Sequence, residues 1–205
     1  MRLRGAELDD GIETDRRPLR HLARFILIGL YTGSRAGAIV SASPNRQPGR
    51  AWVDLDNGLF YRRAIGRRAN KTKPQLPAPI PDRLLAHLRR WHRLGIASEY
   101  FVEWNGKPIK SVKTGFKSAL KLAGLADEEL SPHSLRHTAV TWALQGGATT
   151  FQAAGLVGMS EDMVRRVYGH HSPTFMREAA EAIQNNRGRL GRRPPVKALL
   201  PPAAE

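Results

Sequence analysis

The densest group of residues that could do chemistry is the run from 133 to 137, which reads His-Ser-Leu-Arg-His. If a helix begins at Ser134, then His133, Arg136 and His137 share one face of it. Two imidazoles and a planar guanidinium on one face offer several hydrogen-bond donors to a single anion. The run therefore favours a clamp for an oxyanion or a phosphate.

Two other interpretations of this run stay open. Charged helix faces are common, so these side chains could simply be solvated or satisfied in the core. A metal site would use His133 and His137 at i, i+4, but Ser134 stands where a metalloprotease-type motif needs Glu. We therefore expect no bound metal.

Two further residues are candidates for chemistry if such a clamp exists. Arg35 follows a glycine turn, and a glycine that ends a helix there would aim the arginine out of the core. A capping glycine before an ordinary surface arginine explains the same pattern equally well. Tyr168 lies just before a glycine break, where an isolated tyrosine is more often a core aromatic. It becomes a candidate for chemistry only because phosphate-binding residues exist elsewhere.

A cluster of positive charge lies between residues 62 and 73, and no acidic residue interrupts it. A solvated basic loop is the plain interpretation, but so many charges without counterions are best stabilised by a phosphate backbone. A lysine, unlike an arginine, can also give up its proton when its pKa is depressed. The members are Arg62, Arg63, Arg67, Arg68, Lys71 and Lys73. We expect all of them except Lys71 to bind DNA.

The composition agrees with a nucleic-acid partner. The 205 residues include 33 Lys and Arg against 18 Asp and Glu, a net charge of +15, which attracts polyanions. A membrane surface is the weaker alternative, because the longest apolar run is far shorter than the roughly 20 residues that a span needs. Cysteine is absent, which excludes disulfides and thiolate chemistry. No signal-peptide core follows the first residues, so we expect a cytoplasmic, nucleoid-associated protein.

The elements that must position these residues are mostly helices. Apolar spacing and capping residues predict helix starts at seven places: Pro18, Pro81, Ser111, Ser134, Thr149 or Thr150, Ser160 and Ser172. The first helix should stop at Gly33, and the helix from Ser134 should turn Leu135, Ala139 and Trp142 toward the core. These patterns predict an α+β fold that is mostly α.

A small antiparallel sheet is expected after the first helix. Two apolar runs, Ala51–Leu55 and Leu59–Ile65, flank Asp56-Asn57-Gly58, which is a strong hairpin signal. The proline-rich segment Gln75–Ile80 suits only an edge strand, and residues 41–50 should form a loop. We divide the chain into a tail or severed linker over 1–16, one domain over 17–185 and a flexible basic tail over 186–205.

Four stretches, in order, resemble the tyrosine recombinase, or phage integrase, family. The match spans about residues 17–184, and the ordered set is far more specific than any member. The stretches are Thr32-Gly33-Ser34-Arg35 for the first arginine box, Lys71 for the hairpin lysine, residues 133–138 for the His-x-Leu-Arg-His box, and Leu156–Ser160 followed by Tyr168 for the last box. His170 matches a histidine often found two residues after that tyrosine.

The resemblance implies the catalytic domain of that family and its chemistry. Tyr168 would attack the scissile DNA phosphate, leaving a 3′-phosphotyrosine and a free 5′-hydroxyl. Arg35 and Arg136 would bind the non-bridging oxygens, and Lys71 would protonate the departing 5′-oxygen. His133 would hydrogen-bond the phosphate or accept the tyrosine proton. No cofactor is needed, and the partners would be double-stranded DNA and further recombinase subunits, which form a tetramer in the family.

The chain departs from the family pattern in three places. Met159 stands where the family usually has His or Trp, and a thioether cannot donate a hydrogen bond. Ala38 stands where Glu often follows the first arginine. We expect residues 1–16 to be too short to form the family's N-terminal DNA-clamping domain.

These departures leave four functional hypotheses. The first is a site-specific recombinase that integrates or excises a mobile element. The others are a DNA-binding remnant without activity, a type IB topoisomerase, and a basic RNA-binding protein. The RNA-binding hypothesis leaves the spacing of Arg35, His133, Arg136 and Tyr168 unexplained.

Overall fold

A computed structural model describes residues 19–68, 75–104, 107–172, 176–177 and 180–183. The helices are α1 (Arg20–Thr32), α2 (Ala36–Val40), α3 (Asp82–Arg93), α4 (Lys113–Leu122), α5 (Ser134–Gln145), α6 (Thr150–Val157) and α7 (Glu161–Tyr168), with a 3-10 turn at Gly169–His171. The strands are β1 (Ala42–Ser43), β2 (Ala51–Asp54), β3 (Leu59–Tyr61), β4 (Ala78–Pro79), β5 (Glu103–Trp104) and β6 (Lys107–Pro108). The predicted fold class, α+β and mostly α, is confirmed.

Local capping chemistry sets the ends of the helices near the site. Gly33 ends α1 in the left-handed conformation, with φ of 56°, and its N–H donates to the Gly29 carbonyl. Thr149 and Gln152 form a reciprocal capping box at the start of α6. The Ser160 hydroxyl accepts from the Met163 N–H at the start of α7. These three ends lie where the sequence predicted them.

The sheet has the strand order β1-β2-β3-β4. The hairpin of β2 and β3 pairs Trp52 with Tyr61, and the Asp54 carboxylate accepts from the N–H groups of Asp56 and Asn57 at the turn. As predicted, the proline-containing strand β4 lies at the edge. The prediction of a plain loop over 41–50 was wrong, because β1 pairs in parallel with β2.

Two hydrophobic clusters hold the elements together. The larger one joins α1, the sheet and α3 and contains Phe25, Phe60 and Leu84. The smaller one joins α5, α6 and α7 and contains Val140, Val164 and the ring of Tyr168. The two clusters meet where α1 packs on α5, so the end of α1 comes beside the start of α5.

One predicted core residue is exposed, and several predicted segments are not described. Trp142 is 56% exposed, because the apolar neighbours of α5 lie on its other sides. The tails at 1–16 and 186–205 lie outside the described residues. Of the helix expected after Ser172, residues 177 and 180–183 are helical. Among the described helices, the longest apolar stretch falls short of what a membrane crossing requires.

Candidate active site

The C-terminal end of α6 presents three consecutive backbone carbonyls, at residues 156, 157 and 158, which we call the carbonyl shelf. The last carbonyls of a helix lack intrahelical partners, and they form the negative end of its dipole. Arg62, Arg136 and Arg35, from three separate parts of the chain, donate to the shelf at distances between 2.6 and 3.3 Å. The shelf therefore gathers three guanidinium groups that lie far apart in sequence.

Arg136 is the most firmly held of the three. Its Nη1 donates to the carbonyls of Gly33 at 2.7 Å and Val157 at 2.6 Å, and its Nη2 donates to the Gly158 carbonyl at 3.2 Å. The side chain is buried, and burial, followed by the charge of Arg35, lowers its pKa to about 10. Because neutral carbonyls satisfy these donors, the positive charge of Arg136 is not cancelled and can act on an anion.

Two glycines make this arrangement sterically possible. A Cβ at Gly33 would lie 2.5 Å from Cγ1 of Val157, so no other residue allows α1 to end this close to α6. Gly158 ends α6 with φ of 71°, a conformation that a side chain disfavours. The chain therefore turns sharply at both points, and the carbonyls of Gly33 and Gly158 face Arg136.

Arg35 lies at the start of α2, immediately after the glycine turn. Its Nη2 donates to the Gly158 carbonyl at 3.3 Å, the same oxygen that Arg136 contacts. The shared acceptor brings the two guanidinium groups together, as a clamp on one phosphate would need. Both of these residues were selected from the sequence.

Arg62 was predicted from the sequence to be one of the DNA-binding cations, and its burial contradicts that prediction. The side chain is 4% exposed, and it donates from Nε to the Leu76 carbonyl and from Nη1 to the Leu156 carbonyl, both at 2.7 Å. The physical reason is strand alternation, which turns residue 62 to the same inner face as buried Phe60. Arg62 therefore fastens the sheet to α6 and is not available to the DNA backbone.

The guanidinium of Arg62 is also crowded by like charge. Burial, then Arg136, then Arg35 lower its pKa to about 10, and its Nη2 has no hydrogen-bond partner in the described part of the chain. The crevice between the three arginines is lined further by Ala38, Gln75 and Val157. None of these described lining residues is acidic. Ala38, at the position where the resemblance implies a glutamate, therefore provides no carboxylate to neutralise the arginines.

The remaining basic residues of the 62–73 cluster divide into two groups. Arg63, Arg67 and Arg68 are exposed, and their binding to DNA stays a prediction. Lys71 and Lys73 lie outside the described residues, so their roles also stay predictions.

Tyr168 ends α7 with its ring buried in the smaller cluster. Its hydroxyl hydrogen-bonds to Nδ1 of His137 on α5. Burial raises the pKa of Tyr168, and the nearby charge of Arg136 acts in the opposite direction. The hydroxyl is thus the polar end of a core tyrosine and lies beside the arginine clamp.

His133 lies at the N-terminal end of α5, and its ring meets that of His137 edge to face with centroids 4.8 Å apart. Partial loss of hydration, then the neighbours His137 and Arg136, lower the pKa of His133. The sequence placed His137 on the same helix face as Arg136 but predicted no contact between His137 and Tyr168. The available signal was its i, i+4 spacing from His133, which puts both rings on one face.

Met159 packs against the smaller hydrophobic cluster together with Ala143 and Leu156. Its half-buried side chain contributes apolar contact at the position where the resemblance implies a hydrogen-bond donor. The geometry favours packing as the role of this residue over contact with a phosphate.

We expect Met159→His to lower the melting temperature, because an imidazole packed against apolar groups needs hydrogen-bond partners that this cluster lacks. The free energy of unfolding should fall by about 1–3 kcal/mol, measured by thermal and urea denaturation. Met159→Leu, which nearly conserves volume, is the matched control and should cost less than about 1.5 kcal/mol. Faster DNA cleavage at an unchanged melting temperature would instead place residue 159 against the phosphate.

Comparisons with known proteins agree on one family. The model of the Phage integrase family matches residues 3–174. The tyrosine recombinase XerC of Corynebacterium glutamicum is 32% identical over 136 residues, which make up 62% of this chain and 42% of that relative. The chain therefore spans less than half the length of this relative.

Two solved structures share the fold at low sequence identity. The Tn1549 transposon integrase in complex with transposon right end DNA has a TM-score of 0.60 at 16% identity, over 80% of this chain and 59% of that one. The XerH site-specific recombinase bound to palindromic difH has a TM-score of 0.54 at 19% identity, over 85% of this chain and 49% of that one. The fold is thus that of the tyrosine recombinase catalytic domain.

Proposed function

Because this chain belongs to the phage integrase family, we propose that it cuts and rejoins double-stranded DNA at specific sites through a covalent link between Tyr168 and a DNA 3′-phosphate. The observation that carries this proposal is the meeting of Arg35 and Arg136 on the Gly158 carbonyl, beside the Tyr168 hydroxyl. Two cations and a nucleophile are the parts that phosphoryl transfer to a tyrosine needs.

In this mechanism the phosphate enters between the two arginines. Arg35 and Arg136 bind its non-bridging oxygens and stabilise the charge that develops during attack. Because Arg136 is fixed by three carbonyls before DNA arrives, little reorganisation is needed when the charge forms. Tyr168 makes the covalent link, which conserves the bond energy for rejoining. Lys71 protonates the departing 5′-oxygen, and His133 donates a hydrogen bond to the phosphate.

The biological substrate we propose is the end of a mobile element or a chromosomal recombination site. The Tn1549 integrase is bound to transposon right end DNA, and XerH is bound to difH. Arg63, Arg67, Arg68 and Lys73 would bind the backbone next to the scissile phosphate. We propose that further recombinase subunits assemble on the DNA as a tetramer and that the protein works in the bacterial cytoplasm, on the nucleoid.

Two observations support a second candidate, a DNA-binding protein of this family that has lost cleavage. Met159 packs in a hydrophobic cluster, and Ala38 leaves the arginine crevice without a carboxylate among its described lining residues. Such a protein would keep the basic surface and the clamp but would form no covalent link.

We expect the chain to form a covalent adduct on nicked duplexes that tile the DNA flanking its own gene. In such a substrate the short strand that carries the freed 5′-hydroxyl diffuses away, so the phosphotyrosine cannot be resealed. Adduct that resists denaturation, with a nucleotide mapped to Tyr168 by mass spectrometry, would support the recombinase. A gel shift without adduct would support the DNA-binding protein. Relaxation of supercoils without sequence preference would favour a type IB topoisomerase.

A further inference from the structure

The Tyr168 hydroxyl has a specific partner that the family resemblance does not assign. Its Oη atom hydrogen-bonds to Nδ1 of His137, and the two ring centroids are 5.7 Å apart. The tyrosine ring is 4% exposed, whereas the His137 side chain is exposed. The hydroxyl therefore points from the core toward an open face of α5.

The other polar groups near the tyrosine have different contacts. Arg136 directs its guanidinium into the carbonyls of Gly33, Val157 and Gly158. His133 meets His137 edge to face, so His137 lies next to both the tyrosine and His133. Of the two histidines on this face of α5, it is His137 that touches the oxygen atom.

Attack on phosphorus requires the tyrosine to give up its proton. Burial raises the pKa of Tyr168, so its hydroxyl stays protonated in the free protein at neutral pH. An acceptor already bonded to the hydroxyl removes the proton as the new bond forms. A neutral imidazole nitrogen is the most common acceptor of this kind in enzymes.

Resting on the proposed function, we propose that His137 is the catalytic base for Tyr168. As Oη forms its bond to phosphorus, the hydroxyl proton passes to Nδ1 of His137. The bond from phosphorus to the 5′-oxygen breaks, and that oxygen receives a proton from Lys71. During rejoining, the 5′-hydroxyl attacks phosphorus and loses its proton to Lys71, and Oη leaves and regains its proton from His137.

The role of a base requires one particular tautomer of His137. Nδ1 accepts only when the ring is neutral and carries its proton on Nε2, so the proposal fixes the tautomer. Among the described residues, the titratable or charged groups near His137 include His133 and Arg136 on α5, Arg35 at α2, Tyr168 on α7, and His170 and His171 on the turn after α7. Substitutions must therefore show that the pH dependence of the cleavage rate comes from His137 and not from one of these groups.

The first experiment measures the rate of adduct formation in single turnover between about pH 5 and 8, the range in which imidazole side chains generally change charge. His137→Asn keeps a polar atom near the Nδ1 position but cannot take a proton. We expect its rate to fall roughly 10²–10⁴-fold and to lose the rise with pH that the parent chain shows. DNA binding and the melting temperature should stay unchanged, because the side chain is exposed.

His133→Asn is the matched control, since it makes the same change one turn earlier on the same face. We expect it to cleave more slowly while keeping the rise of the rate with pH. His137→Ala with added imidazole is a second test, because a soluble base can enter this exposed position and restore the rate. Cleavage by His137→Asn at the parent rate or faster would overturn the proposal and would make the contact a resting position of the tyrosine.

A second experiment needs no cleavage and so separates the failure of this inference from the failure of the proposed function. Long-range proton–nitrogen NMR spectra of the DNA-free chain should show His137 with its proton on Nε2, and Tyr168→Phe should shift its Nδ1 resonance. A proton on Nδ1 would overturn the base assignment even if an adduct forms at Tyr168. Absence of any adduct from the parent chain would instead contradict the proposed function.

Discussion

Tyr168→Phe abolishes the covalent protein–DNA adduct and leaves non-covalent DNA binding intact. The substitution removes one oxygen atom, and that oxygen is the one which would bond to phosphorus, so no residual route to the adduct exists. The ring stays in the same hydrophobic cluster. The lost hydrogen bond to His137 should cost only about 0.5–1.5 kcal/mol of folding free energy, because the exposed imidazole can turn to water.

The measurement is the yield of denaturation-resistant adduct on nicked DNA, with binding followed separately by gel shift. Tyr100→Phe is the matched control, since it makes the same change at a half-buried tyrosine in another part of the molecule. An adduct of undiminished yield in Tyr168→Phe would remove the tyrosine from the mechanism.

Loss of the Arg136 guanidinium should also have a large effect on cleavage. Arg136→Ala should lower the cleavage rate by roughly 10²–10³-fold, as loss of a transition-state donor does. Ground-state DNA binding should change far less, because many other lysines and arginines contribute to it. The variant should also be destabilised, since the carbonyls of Gly33 and Val157 would lose their buried donor.

Arg136→Lys separates chemistry from folding. A lysine keeps the charge and one donor group, so we expect Arg136→Lys to be more stable than Arg136→Ala. It should still cleave slowly, because an ammonium group cannot reproduce the planar donor geometry of a guanidinium. Arg67→Ala, at an exposed position, should weaken binding and its salt dependence without a specific loss of cleavage. Equal losses of binding and cleavage in both Arg136 variants would contradict a role in the transition state and would limit Arg136 to a general contribution to DNA binding.

Much of the fold could be predicted because its signals are local. Gly33 ends α1, Gly58 follows Asn57 in a hairpin, and Thr149 with Gln152 begins α6, each by chemistry confined to a few neighbouring residues. The parallel pairing of β1 with β2 joins short segments across a loop, and two residues of strand carry no readable period. Trp142 was misplaced for a related reason, because which side of α5 is covered depends on how α1, α6 and α7 pack.

The candidate site was predictable in its residue types but not in its contacts. Arg35, Arg136 and Tyr168 were selected from the sequence, and the geometry brings them together. Arg62 was predicted to be one of several exposed cations, although side chains alternate in direction along a strand, which places residue 62 on the same face as buried Phe60. The partners of all three arginines on the shelf are backbone oxygens, which have no sequence signature. The role of His137 depends on where α7 ends relative to α5, which residue spacing alone does not give.

The carbonyl shelf makes the site depend on the length of α6 more than on the side chains at its end. An exchange of the side chain at position 156 would alter packing, but the oxygen that Arg62 contacts would remain. Adding or deleting a residue within α6 is different, because each residue turns a helix by about 100° and advances it by about 1.5 Å. One such change would rotate the three oxygens away from Arg35, Arg62 and Arg136 together. Natural and laboratory variation at this point should therefore consist of substitutions, while insertions and deletions should be confined to the loops on either side.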